Sequence, residues 1–108
     1  MASSKEYRDF ILEQLSTLHD ISCRPMMGEF LLYHEGVLFG GIYDDRLLIK
    51  RVATNEKFKL PQQIPYKNAK PMYFVDNVDD TDLLHEIVLA TCEGLKAIVE
   101  RKHASTKK

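Results

Sequence analysis

Residues 23–51 read C-R-P-M-M-G-E-F-L-L-Y-H-E-G-V-L-F-G-G-I-Y-D-D-R-L-L-I-K-R, and this stretch decides the fold. Glu29–His34 alternates apolar and polar side chains, as a strand with one buried face does. Glu35-Gly36 is a two-residue turn of hairpin type, because Gly accepts positive φ without steric cost. Val37–Tyr43 is the returning strand. Asp44-Asp45 makes a second tight turn, and Arg46–Arg51 is a third strand. Its Leu47 and Ile49 point to one face, and Leu48 and Lys50 to the other. Gly40-Gly41 falls inside the middle strand, where glycine costs backbone entropy. Such a pair marks a bulge, or a close approach of another backbone or of a ligand. Ile21–Met26 is extended too, but Pro25 confines it to an edge or an irregular segment. Gly28, between Met27 and Glu29, has no structural duty in this reading.

Helices flank the strands. Ser3 and Glu6 have capping-box spacing at the start of the first helix. Tyr7, Phe10, Ile11, Leu15 and Leu18 form its apolar stripe, and His19-Asp20 ends it. Thr54-Asn55-Glu56 starts a short helix ending near Leu60, where Pro61 stops it. Residues 61–71 carry three prolines and read as loop, and Met72–Val75 is a last strand. Asp79, Asp80, Thr81 and Asp82 crowd the start of a long final helix, where negative charge suits the helix dipole. Its stripe is Leu84, Ile87, Val88, Thr91, Leu95 and Ile98, and Gly94 within it points to close packing. The pattern is α+β: an antiparallel meander of four to five strands in two layers with an N-terminal and a long C-terminal helix.

The 108 residues suit one domain, with an ordered body over about 4–100 and a basic tail at 101–108. No apolar run reaches the roughly 20 residues of a membrane helix. The N-terminus carries early charges and no apolar core, so no secretory signal is expected and a cytoplasmic location follows. Cys23 and Cys92 read as reduced thiols packed as small hydrophobes.

Formal net charge is −1, but it is unevenly placed. Residues 1–45 carry a balance of −5, residues 46–75 of +6 and residues 76–108 of −2. The basic middle segment is either a solvated face or an anion-attracting patch.

No catalytic set emerges. The four histidines do not cluster, and neither cysteine has a partner at metal-ligand spacing. Asp76–Asp82 lacks the central Gly and closing Glu of a calcium loop, so helix capping explains its carboxylates. Asp44-Asp45 is a turn former. Cys23 adjoins Arg24, a cation that favours thiolate, but no orienting base accompanies it. Gly40-Gly41 lies inside a strand and does not open a helix, so it is not a phosphate loop. The chain reads as a non-enzyme with no cofactor and no metal.

The order of short motifs resembles the TfoX N-terminal domain family, named for a bacterial competence regulator also called Sxy. The residues that carry the resemblance are Arg24-Pro-Met26-Met27-Gly28-Glu29, Leu32-Tyr33, Glu35-Gly36, Val37-Leu-Phe39, Asp44-Asp45-Arg46-Leu-Leu-Ile-Lys50 and Met72-Tyr73-Phe74-Val75. Met27 and Glu29 stand where Phe and Gly are common in the family. The resemblance implies a stand-alone domain with a two-layer fold of secretion-chaperone-like arrangement, without catalysis or cofactor. In the full-length regulator such a domain precedes a second one and serves transcription of competence genes.

The expected function is therefore a protein-interaction or transcription-regulatory module, contacting an unidentified protein, with a homodimer compatible with the same surface. Its candidate interaction residues are Arg24, Met27, Gly28, Lys50, Arg51, Lys57 and Lys59. Two alternatives remain open at this stage. Segment 46–70 could contact nucleic acid through phosphate neutralisation. A small ligand could occupy a pocket near Met27, Gly40 and Gly41.

Overall fold

Tight turns with left-handed backbone build the sheet of this computed structural model. It describes the backbone of residues 4–106 and the side chains of residues 4–98. Strands β1 (Ile21–Met26), β2 (Glu29–His34), β3 (Val37–Ile42) and β4 (Leu47–Ile49) follow one another as antiparallel neighbours. Met27 and Gly28 join β1 to β2 with φ of 50° and 86°, and Glu35 and Gly36 join β2 to β3 with 50° and 78°. Asp44 and Asp45, at 53° and 54°, turn the chain towards β4. Two positive φ values in a two-residue loop match the twist of paired strands. Gly28 thus has a structural duty that the sequence reading missed. Met27 ahead of it also takes the left-handed conformation, which its side chain does not advertise.

Beyond β4 the chain makes a 3-10 turn (Ala53–Phe58), then β5 (Gln62–Gln63) and β6 (Met72–Val75). The sheet has six strands in the order β1-β2-β3-β4-β6-β5, every pair antiparallel. The expected α+β meander is present, one strand larger than expected. The extra strand is β5, hidden in a segment whose prolines argued for loop. Pro61 lacks a donor but still offers its carbonyl, which accepts from the Phe74 amide at 2.7 Å. Pro25 lies on the edge strand β1, as its missing N–H requires.

A bulge and a close backbone approach both occur at Gly40-Gly41. Leu32 pairs with Gly40 but Tyr33 pairs with Leu38, so Phe39 is the extra residue of a bulge. A Cβ on Gly40 would fall on the Leu48 carbonyl oxygen of β4, and one on Gly41 would lie 2.7 Å from the Phe30 oxygen. These glycines let three strands close together.

Helix α1 (Lys5–Gln14) is capped by Ser4, whose hydroxyl accepts from the Tyr7 amide at 3.1 Å. Ser3 lies outside the described residues, so the expected Ser3–Glu6 box is not part of this description. The helix stops five residues before His19. Its last turn tightens as the Ser16 amide bonds the Glu13 carbonyl, and turns carry the chain to Asp20. Ile11 and Leu15 are fully buried and Leu18 still packs on the core, whereas Phe10 stays 36% exposed. Helix α2 (Thr81–Thr106) begins at Asp80, whose carboxylate accepts from the Leu83 amide at 3.1 Å. Its helical backbone continues past Arg101, where the basic tail was expected to begin.

The core lies between one sheet face and the two helices. Phe30 and Leu32 of β2, Phe39 and Ile42 of β3, Leu47 and Ile49 of β4, and Tyr73 and Val75 of β6 meet Ile11, Leu15, Leu84, Ile87 and Val88. Burying each such aliphatic side chain contributes about 1.5–3 kcal/mol relative to exposure.

A polar knot joins α2 to the end of β4. Asn55, fully buried in the 3-10 turn, accepts from the Val52 amide at 3.1 Å. It donates to the Lys50 carbonyl and to the Thr91 hydroxyl, each at 2.8 Å. The Thr91 hydroxyl in turn donates to the Ile87 carbonyl at 2.7 Å, and the Thr54 hydroxyl donates to the Ala90 carbonyl. Gly94 lets this approach happen, since a Cβ there would lie 2.7 Å from Val52 Cγ2 and would also strike the Thr54 hydroxyl.

Two stability measurements check this packing. Asn55→Leu leaves the Val52 amide and the Lys50 carbonyl without partners, and urea unfolding should show a loss of about 2–4 kcal/mol. Gly94→Ala should also destabilise, by about 1–3 kcal/mol, although alanine is the better helix former. A stabilised Gly94→Ala variant would contradict the close approach.

Candidate interaction surface

Register assigns each sheet side chain to a face. The helix-covered face is described above. On the other face Arg24 of β1, Leu31 and Tyr33 of β2, Leu38 of β3, Leu48 of β4 and Phe74 of β6 come together. Leu31, Tyr33, Leu38 and Phe74 are half-buried, and none belongs to the core. The Arg24 guanidinium carbon lies 5.5 Å from the Tyr33 ring centroid, within cation–π range. Antiparallel sheets commonly present one face to water, but that face is usually polar. This one carries a band of aromatic and aliphatic side chains with a cation at its edge.

The seven expected residues divide among separate places. Arg24 lies on edge strand β1, and Met27 and Gly28 at the β1–β2 turn, where Met27 is 97% exposed. Lys50 and Arg51 leave the end of β4. Together with Lys70 they line a cleft of about 460 Å³ whose other walls include Tyr43, Tyr66, Met72, Leu95 and Ile98. Lys57 faces elsewhere. Its ammonium lies 5.5 Å from the Phe58 ring centroid, and both residues line a groove of about 330 Å³ with Glu86, Leu89 and Glu93. Lys59 caps the 3-10 turn in a left-handed conformation, φ 51°, and is exposed. The structure thus brings Lys50 and Arg51 together, adds Lys70 to them, and separates them from Lys57.

Arg46 is taken up by the fold. It donates to Gln63 Oε1 at 2.7 Å and to the Tyr43 carbonyl at 3.1 Å, and it reaches the Ile64 and Pro65 carbonyls at 3.4 Å each. This one side chain pins the 63–65 segment beside the turn before β4. Arg51 makes a lighter contact, from Nη1 to Gln62 Oε1 at 3.0 Å. Sequence reasoning missed Lys70 and Tyr66 as members of the cleft. Both lie in the proline-rich stretch, and only the β4–β6 pairing carries them to the end of β4. It also missed the apolar outer face, although the alternation of Leu31 and Tyr33 with the core residues Phe30 and Leu32 was there to signal it.

The chemistry of the remaining polar groups is quiet. Among the described residues no three His, Cys, Asp or Glu side chains gather to hold a metal ion. Both cysteines are free. Burial pushes the Cys23 thiol up, opposed by the charge of Arg8 rather than of its neighbour Arg24. Burial also raises Cys92, to about 11. Neither environment favours a thiolate nucleophile. His85 Nε2 donates to the Gln14 carbonyl at 2.9 Å, tying α2 to the end of α1. His34 is buried on the core side of β2, with Nδ1 unpartnered among the described residues.

The model of the TfoX N-terminal domain matches residues 13–93, which span every strand and the first half of α2. The chain belongs to the TfoX N-terminal domain family. In this TfoX N-terminal domain the matched segment holds the outer apolar face and the three cations of the cleft, while Leu95 and Ile98 of the cleft wall lie beyond it. The chain is also similar to a protein of Spirochaeta aurantia described as an uncharacterized 12.7 kDa protein in the trpE 5′ region. The two are 28% identical over 110 residues, covering 99% of this chain and 95% of that one. No helix among the described residues is long and apolar enough to cross a membrane.

Alkaline titration tests the thiol environment. Cys92 is neutral in the fold up to about pH 11, against an ordinary value of 9.0. Its folded pKa is raised, so its contribution to stability is complete below pH 9 and is lost as pH rises through about 11. Tyr7 and Tyr43 are raised by burial in the same direction. Stability measured from pH 8 upward should therefore decline, and Cys92→Ala should flatten the part of the decline that begins near 9. An unchanged pH profile in the variant would contradict this assignment.

Proposed function

We propose that this chain is a non-enzymatic protein-interaction module whose contact surface is the outer sheet face. The observation that carries the reading is the band Leu31, Tyr33, Leu38 and Phe74, left outside the core and edged by Arg24. Aromatic and aliphatic side chains with an arginine at the rim are the usual make-up of protein contact sites. Six strands give that face a rigid backbone, so binding carries little ordering cost. A regulatory role in transcription, which the family resemblance implies, would be exercised by docking this face on a protein of the transcription apparatus. The separation of Lys57 from Lys50 and Arg51, and its neighbours Glu86 and Glu93, favour a protein partner over a duplex. A phosphate backbone needs a continuous track of cations.

The test pairs Leu31→Glu and Tyr33→Glu with the unaltered chain in affinity capture followed by mass spectrometry. Both positions are half-buried outside the core, so circular dichroism should show an intact fold. The expected result is a protein retained by the unaltered chain and lost, by tenfold or more, from both variants. Equal retention by all three would move the contact elsewhere, and capture of no protein under any condition would end the reading.

A further inference from the structure

We propose that the cleft beside β4 is a binding site for a small phosphorylated molecule that carries a planar or apolar body. The site is distinct from the outer-face contact and does not depend on it. Three cations converge there from separate parts of the chain: Lys50 and Arg51 at the exit of β4, and Lys70 just before β6. Among the described residues no carboxylate lines the cleft. Among the described residues no acidic side chain forms an ion pair with Lys50, Arg51 or Lys70. Three like charges held together without a counter-ion raise the local potential and favour a ligand of two or more negative charges.

The positions of these cations are fixed by the fold. The Lys50 carbonyl is held by buried Asn55 and its amide by the Phe39 carbonyl at 2.9 Å, so the backbone that presents Lys50 is bonded on both sides. Arg51 gives one N–H group to Gln62 and keeps the rest of its fork for a ligand. Lys70 stands between Ala69 and Pro71, a place where proline limits the backbone.

The rest of the cleft selects the body of the ligand. Met72, Leu95 and Ile98 give it apolar walls, and Tyr66 offers an exposed ring whose centroid is 6.2 Å from that of Tyr43. A volume of about 460 Å³ falls within the roughly 300–1,000 Å³ of small-molecule sites. Charge alone would suit any polyanion. The combination of a local triplet of cations with an apolar wall suits a compact molecule with a phosphate at one end. A polymer would be expected to engage Lys57 as well, which faces a groove containing Glu86 and Glu93.

The experiment follows the backbone amides of the isotope-labelled full chain by NMR during titration with 1-naphthyl phosphate, inorganic phosphate and 1-naphthol. Saturable shifts at residues 50–52, 66–72 and 95 are expected with the phosphate ester at millimolar concentration, and weaker ones with either part alone. Lys50→Gln combined with Lys70→Gln should weaken binding of the ester by roughly tenfold or more while leaving the spectrum otherwise folded. The proposal is overturned by shifts that do not saturate or that fall outside the cleft, or by undiminished binding in the double variant. An acidic peptide or a short DNA duplex that binds the same amides more tightly than the ester would also overturn it. A negative result leaves the outer-face contact standing, because Leu31 and Tyr33 take no part in the titrated site.

Discussion

The buried amide of Asn55 is the constraint on which the rest of this structure depends. A fully buried amide is tolerable only when its hydrogen-bonding groups find partners, and here it has the Val52 amide, the Lys50 carbonyl and the Thr91 hydroxyl. Those partners belong to the end of β4, the 3-10 turn and the middle of α2. The bonds therefore set where the chain leaves the sheet and how far α2 stands from it. Gly94 is the steric counterpart of this knot. Without a side chain it lets the helix approach Val52 and Thr54 closely enough for Thr54 to reach the Ala90 carbonyl. Hydrophobic burial supplies most of the stabilisation, but it is non-directional. The Asn55 bonds specify one approach of helix to sheet, and Lys50 and Arg51 take their positions from it.

Much of the fold could be read from alternation and turn chemistry. Two apolar runs separated by Glu35-Gly36 or by Asp44-Asp45 have few folded solutions other than hairpins, and Pro25 could only sit at an edge. Gly40-Gly41 was legible as a constraint because glycine inside a strand has a cost that some contact must justify. Three features were not legible. Met27 in the left-handed region gives no local signal, so the first hairpin turn went unseen and Gly28 looked idle. The two-residue strand β5 has no periodicity of its own and exists because β6 offers it an edge. The end of α1 at Gln14 arises while its apolar stripe continues. Leu18 reaches the core from a turn instead of a helix, and side-chain spacing cannot tell those two routes apart.

The site was less legible than the fold, for a physical reason. Net charge along a sequence adds up, but charge on a surface depends on where the backbone carries it. The segment 46–75 looks like one basic patch in the sequence. In the structure Arg46 is consumed by four oxygen acceptors of its neighbours. The 3-10 turn then takes Lys57 to the carboxylates of α2. Lys59 reverses the chain in the left-handed region, and the return through β5 leaves Lys70 opposite Lys50 and Arg51. Five of the seven cations are thereby divided into a structural cation, a cation that shares a groove with two carboxylates and a group of three, while Lys59 and Lys67 stay exposed.

This division also separates the outer sheet face from the cleft in chemical terms. On the face, Arg24 lies along a tyrosine ring within an apolar band, an arrangement that favours large, shape-matched partners through desolvated area. In the cleft, charge is concentrated and area is small, an arrangement that favours compact anions. The ring of Tyr43 packs over Gly41 in the sheet and lies beside Tyr66 at the cleft. A side chain at position 41 would strike that ring, the nearest atom being 2.8 Å from the added Cβ. The second glycine of the β3 pair therefore does more than admit a neighbouring strand. It seats the tyrosine that lines the cleft.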